Sequence, residues 1–130
     1  MSRGHYGLVL APWVVLAIYV GLAVWTTPDA RGYGTHEQLG LGACVFRDWL
    51  GAPCPTCGVT TSASHLVHGG LRAAWMTQPL GVLLGAAAAA GVPITMLCHQ
   101  RRLDLGQWWL RHGAKIWSAL AVVVTACWLF

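Results

Sequence analysis

The stretch LVLAPWVVLAIYVGLAVW, Leu8–Trp25, decides the fold: it carries no charged side chain from end to end. As a helix rising about 1.5 Å per residue it nearly crosses a hydrocarbon core of about 30 Å. Pro12 falls in its first turn, where a missing N–H costs little. A cleaved signal peptide fits less well, because the run exceeds an apolar segment of about 7–15 residues and no small-x-small site follows Trp25. The run reads as a retained membrane anchor.

Two further apolar runs repeat the pattern. Ala73–Cys98 is uncharged. Gln78-Pro79 divides it and leaves Leu80–Leu97 as a span, with Pro93 expected to kink it against the Ala89 carbonyl. Ile116–Phe130 is short for a span, but Lys115 can snorkel and Trp108, Trp109 and Trp117 can anchor an interface. The sequence therefore predicts an all-α integral membrane protein of one domain, residues 1–130. Its spans lie at about 8–25, 80–97 and 114–130, with a Cys-bearing loop 26–79 and a basic loop 98–113.

Composition agrees. Of 130 residues, 56% are hydrophobic and 9% charged, with a mean hydropathy of +0.57. An ordinary soluble domain carries about 25% charged residues, so a soluble enzyme domain, a disordered segment and a coiled coil are excluded. The net charge of +4 does not point to nucleic acid, because the basic residues flank apolar runs. Arg101, Arg102, Arg111 and Lys115 crowd the short second loop, whereas Arg31, Arg47 and Arg72 are diluted over the long first loop. Positive-inside reasoning, with which Arg3 agrees, places the N-terminus in the cytoplasm and the 26–79 loop outside.

That loop holds the chemistry. Thr26–Leu41 is rich in Gly, Thr and Pro and reads as irregular chain. Cys44 follows, then Pro53-Cys54-Pro55-Thr56-Cys57-Gly58. Val59–His68, ended by Gly69-Gly70, reads as a short interfacial helix with Thr60, Thr61 and Ser62 available to cap it. A second short helix is expected over Leu71–Met76.

Gly51-Ala-Pro-Cys54-Pro-Thr-Cys57-Gly58-Val-Thr60, His68-Gly69, Ala73-Ala74 and Gln78-Pro79-Leu80 together resemble the small bacterial membrane proteins of domain-of-unknown-function family 2752. The resemblance covers about a third of the chain, from Cys44 to about Leu84, and implies a location in the bacterial cytoplasmic membrane. This chain departs from the pattern in having Thr61, Gly70 and Gln78 where the family favours Arg, an acidic residue and Asn. The resemblance supplies no biochemical activity, and Cys44, Pro53, Cys54, Pro55, Cys57, Gly58 and Thr60 form the motif to be explained.

Three readings of the cysteines stay open. A structural disulfide is the first. Cys44 competes as a partner, since a loop of eleven to fourteen residues is worth about 3 kcal/mol against about 2 for the short Cys54–Cys57 loop. Thiol–disulfide exchange by Cys54 and Cys57 is the second, with Cys54 as the attacking thiolate at a helix start. A zinc or copper site is the third, drawing on Cys44, Cys54, Cys57, His65 and His68. Covalent haem is excluded because Gly58 stands where the attachment motif needs His. Cys98 and His99 lie beyond the second span, out of reach of the loop, and Cys127 reads as a packing residue.

Other chemistry is missing. Asp29, Glu37, Asp48 and Asp104 are scattered, no Gly-rich phosphate loop occurs, and, Lys115 at the edge of the third aside, the three spans hold no ionisable residue of the kind that lines an ion path. Small-residue faces, Ala17-x-x-x-Gly21 and Gly81-x-x-x-Gly85-x-x-x-Ala89, suit close helix packing within the chain. Three short helices bury little, so lipid, self-association or a membrane-protein partner should cover the remainder. The expected role is non-enzymatic, an accessory or subunit of a membrane assembly with no obligatory cofactor. A reporter active only in the cytoplasm, fused after Phe130, should be silent; activity there would reverse the orientation or remove the third span.

Overall fold

A computed structural model describes residues 2–54 and 56–129; Pro55 of the motif and Phe130 lie outside it. The described chain is helical, with no strand: α1 Arg3–Trp25, a 3-10 turn Thr35–Leu39, α2 Val45–Leu50, α3 Val59–Val67, α4 Leu71–Thr77, α5 Pro79–Gln100 and α6 Leu105–Leu129. Among the described residues α1, α5 and α6 are long and apolar enough to cross a membrane. The chain is thus a multi-pass membrane protein. Little of each long helix is buried within the protein, and large apolar side chains such as Val14, Ile18, Ile94 and Val122 face outward, as lipid contact requires.

Local chemistry explains the boundaries. Ser2 caps α1, its hydroxyl accepting the His5 N–H at 3.3 Å. Pro79 opens α5 from an extended Gln78, so the long apolar run divides at Gln78-Pro79. Asp104 caps α6 by accepting from the Gly106 N–H at 2.9 Å. Leu105–Lys115, with Arg111 and Lys115, already belongs to α6, which joins α5 through the short Arg101–Asp104 turn. Ser2 N and Ser2 Oγ both donate to the Asp104 carboxylate at 2.9 Å, tying the chain start to this turn. At the opposite end the Trp128 indole N–H donates to the Pro53 carbonyl at 3.0 Å. The molecule therefore has a basic end and a motif end.

The centre is the short α3, which packs on α1, α4 and α5. Thr61, Ser62, Ala63 and Ser64 are almost fully buried. Gly58 rather than a hydroxyl residue occupies the N-cap of α3, and no side chain caps it. Of the hydroxyls expected as caps, Thr61 and Ser62 turn inward instead, and Ser64 joins them. Thr61 accepts from Thr35 at 2.8 Å. Ser62 Oγ lies 2.8 and 2.7 Å from the carbonyls of Ala74 and Gln78 and shares its one proton between them. Ser64 pairs with Thr26 at 3.1 Å. Among the described residues no buried side-chain nitrogen or oxygen lacks a partner, which is what burying so many hydroxyls demands.

Helix approach follows the small residues of α5. A methyl group on Gly81 would lie 2.6 Å from Ser62 Oγ and 2.9 Å from the Val59 carbonyl. On Gly85 it would meet Leu66 and Tyr19, each at 2.9 Å. Ala88 is buried on the same helix, whereas Ala17 and Ala89 are exposed, and Gly21 faces mainly Trp25 of its own helix. The Tyr19 hydroxyl donates to the Gly81 carbonyl and closes α1 onto α5. Gly81→Ala should cost about 1–3 kcal/mol through overpacking against backbone that cannot retreat. Gly7→Ala, which meets nothing within 4 Å, should leave the detergent melting temperature unchanged or slightly raised.

Candidate thiol site

Two short segments deliver the cysteines. Cys44 occupies the N-cap position of α2, its carbonyl accepting the Arg47 and Asp48 N–H groups, each at 3.0 Å. Gly51, in the left-handed region, ends α2 after Leu50 and turns the chain back toward Cys54. Cys54 to Cys57 then forms a tight turn in which the Cys57 N–H donates to the Cys54 carbonyl at 2.9 Å. Gly58 completes it at φ +85°, with the Gly32 carbonyl 3.0 Å from where a Cβ would stand. Both the backbone conformation and the close approach require glycine at this position.

The result is a three-thiol cluster. The Sγ atoms of Cys44, Cys54 and Cys57 lie within 4.8 Å of one another, and Cys57 donates to Cys44 across 3.7 Å. All five cysteines are free thiols. Cys98 and Cys127 are outside the cluster, as are His65 and His68. His68 Nδ1 donates to the Ser64 carbonyl at 2.7 Å, and His65 packs near Gly70. Thr60, at the motif's end, lines the same groove as the thiols.

The two thiols of the Cys-x-x-Cys pair are electrostatically unequal. Burial pushes Cys54 up, but hydrogen bonds from the Thr56 side chain, from Cys57, from the Thr56 backbone and from Cys44 outweigh it and bring the thiol down to about 7. The Thr56 hydroxyl is 3.3 Å from Cys54 Sγ. Burial raises Cys57, and its role as donor to Cys54 and Cys44, together with the Cys54 charge, pushes it to about 11. Hydrogen-bond donors beside the sulfur thus favour the Cys54 thiolate. The helix start contributes less than its sequence position suggests, since α3 begins only at Val59.

Residues of the preceding loop complete the site. A groove of about 470 Å³ is lined by the three cysteines together with Tyr33, His36 and Arg47. The Arg47 guanidinium stacks over Tyr33 at 3.7 Å and Arg31 approaches the same ring at 5.1 Å. Arg31 also bonds Asp29 at 2.8 Å and Glu37 at 3.0 Å. Its side-chain hydrogen bond, ahead of its backbone N–H, holds the Asp29 carboxyl at about 2. Thr35, hydrogen-bonded to Asp29 N and to Thr61, fixes this loop to α3. Tyr33 and His36 do not stand out by spacing in an irregular stretch, nor does Arg47 in the six-residue α2. They reach the site only through the Thr35–Thr61 and arginine–tyrosine contacts.

These features define a class: a multi-pass helical membrane protein with three clustered thiols at one end of its bundle. A protein-family model described as "Protein of unknown function (DUF2752)" matches residues 44–92, the family that the Cys-Pro-x-Cys-Gly-x-Thr motif resembles. The match takes in both cysteine segments, α3, α4 and the first half of α5. No curated protein and no solved structure matches the chain significantly.

Thiol reactivity should follow the inequality of the pair. In reduced protein, alkylation by iodoacetamide should strike Cys54 before Cys57, its rate rising through about pH 7 and levelling above it. Cys57 should stay slow until pH approaches 11. Thr56→Val should move the Cys54 profile upward in pH. Mass-spectrometric mapping at a series of pH values reads both.

Proposed function

We propose that this protein is a small accessory protein of the bacterial cytoplasmic membrane whose three-thiol centre binds a soft metal ion, zinc(II) or copper(I). The cysteine end faces outward and the basic end faces the cytoplasm. The observation carrying the reading is the convergence of Cys44, Cys54 and Cys57 within 4.8 Å from two chain segments. A disulfide uses two sulfurs, whereas three within 4.8 Å of one another suit a trigonal thiolate set or three corners of a tetrahedron. The lowered Cys54 supplies the first thiolate near neutral pH, and metal binding would displace the protons of the others. A fourth position would open into the groove lined by His36, where a partner's ligand could complete the sphere.

Purified under reducing, anaerobic conditions, the protein should carry about one zinc or copper per chain by elemental analysis. Cys44→Ser and Cys57→Ser should lose it, and His65→Ala and His68→Ala should keep it. Metal-free protein with reduced thiols, even after loading with either ion, would overturn the reading.

The inequality of Cys54 and Cys57 supports a second reading, thiol–disulfide exchange. The Cys54 thiolate would attack a partner disulfide, forming a mixed disulfide and expelling one partner thiolate. Cys57, deprotonated, would then attack Cys54 Sγ and expel the second, passing two electrons to the partner. In that case Cys57→Ser, and not Cys54→Ser, should accumulate the mixed disulfide.

A further inference from the structure

At the basic end, away from the thiols, a groove of about 670 Å³ opens between the long helices. We infer that it is a binding site for an anionic phospholipid of the surrounding bilayer. Its walls come from all three spans: Leu8 of α1, Ile94 and Cys98 of α5, and Trp108 and Arg111 of α6. The volume lies within the range of about 300–1,000 Å³ typical of sites for small ligands, and its walls are mainly apolar, as an acyl chain requires.

Charge decides which lipid. Among the described residues the only ion pairs are those of Arg31 at the other end, so the Arg111 guanidinium at this groove has no carboxylate partner. Asp104 also lines the groove, yet its carboxylate is occupied by Ser2 N, Ser2 Oγ and the Gly106 and Gln107 N–H groups. Those bonds keep it ionised, the Ser2 backbone contributing most, and a phosphate is therefore directed to Arg111 rather than to the turn. Arg111 lies on the segment of α6 before the uncharged Ile116–Leu129 run. That segment also carries Trp108, Trp109 and Lys115, residue types that mark headgroup depth. His112 adds a polar wall: its Nδ1 donates to the Trp108 carbonyl at 3.0 Å. Basic pockets between membrane helices at such depth hold anionic headgroups, and each basic side chain contributes about a fivefold preference.

The test is native mass spectrometry of the full chain in detergent with equimolar phosphatidylglycerol and phosphatidylcholine of identical chains. Wild type should retain the glycerol lipid about fivefold over the choline lipid. Arg111→Gln should bring the ratio near one, and Arg72→Gln on α4 at the motif end should leave it unchanged. Thr95→Trp, which fills the groove wall, should reduce retention of both lipids at an unchanged melting temperature. Equal retention by wild type, an unaffected ratio in Arg111→Gln, or equal losses in Arg111→Gln and Arg72→Gln would overturn the proposal. So would a dimer that Thr95→Trp dissociates, because a second copy would then occupy the groove.

Discussion

The Ser62 hydroxyl, shared between the carbonyls of Ala74 and Gln78, holds the architecture together. It hooks α3 onto the joint between α4 and α5, and it does so at a spacing that only Gly81 permits. The Gly81 carbonyl in turn receives the Tyr19 hydroxyl from α1. Three helices are thus joined through a serine, a glycine and a tyrosine. With so few charged residues and short helices, hydrogen bonding and close backbone approach must do what apolar burial alone cannot do among lipid tails. Leaving any of these hydroxyls unpaired at full burial would cost about 1–3 kcal/mol.

The thiol site inherits its geometry from that anchorage. Once α3 is fixed, Gly58 sets the turn that presents Cys54 and Cys57. Thr61 holds Thr35, and so the loop that brings Tyr33, His36 and Arg31 to the groove. Trp128 holds Pro53 from α6. The groove walls therefore come from separate stretches of chain that meet at one short helix, the kind of second layer that keeps a reactive site in register.

Much of this was legible in the sequence because membrane solvation is a strong constraint. Uncharged runs of sufficient length have few alternatives to a helix that spans, so α1 and α5 follow from length and charge; the third run is short for a span, and the start of α6 at Leu105 reads as loop in the sequence. The convergence of Cys44 on Cys54 and Cys57 was open to spacing arguments, since Gly51 and Pro53 leave a short return path between them. The role of α3 was not legible. Thr60, Thr61 and Ser62 look the same whether they cap a helix or face inward, and the decision rests on carbonyls at Ala74 and Gln78 that become neighbours only after folding. Tyr33 and His36 were hidden for a related reason: irregular chain has no period from which a facing direction can be read, and α2, which carries Arg47, is too short to show one. The histidines ran the other way. His65 and His68 are three apart on a helix, a suggestive spacing, but His68 is bonded to its own helix and neither belongs to the thiol cluster.

The tryptophans distinguish the two ends of the bundle. Trp25, Trp49, Trp75 and Trp128 are all exposed, and each belongs to the motif end by its place in the chain or its contact. Trp108 and Trp109 mark the basic end of α6. Indoles favour the boundary between headgroups and hydrocarbon, and all but Trp13 and Trp117 lie toward one end of the bundle or the other. The thiols share one end of the bundle with Trp25, Trp49, Trp75 and Trp128, and Arg111 shares the other with Trp108 and Trp109. The uncharged segments between them offer no ionisable relay.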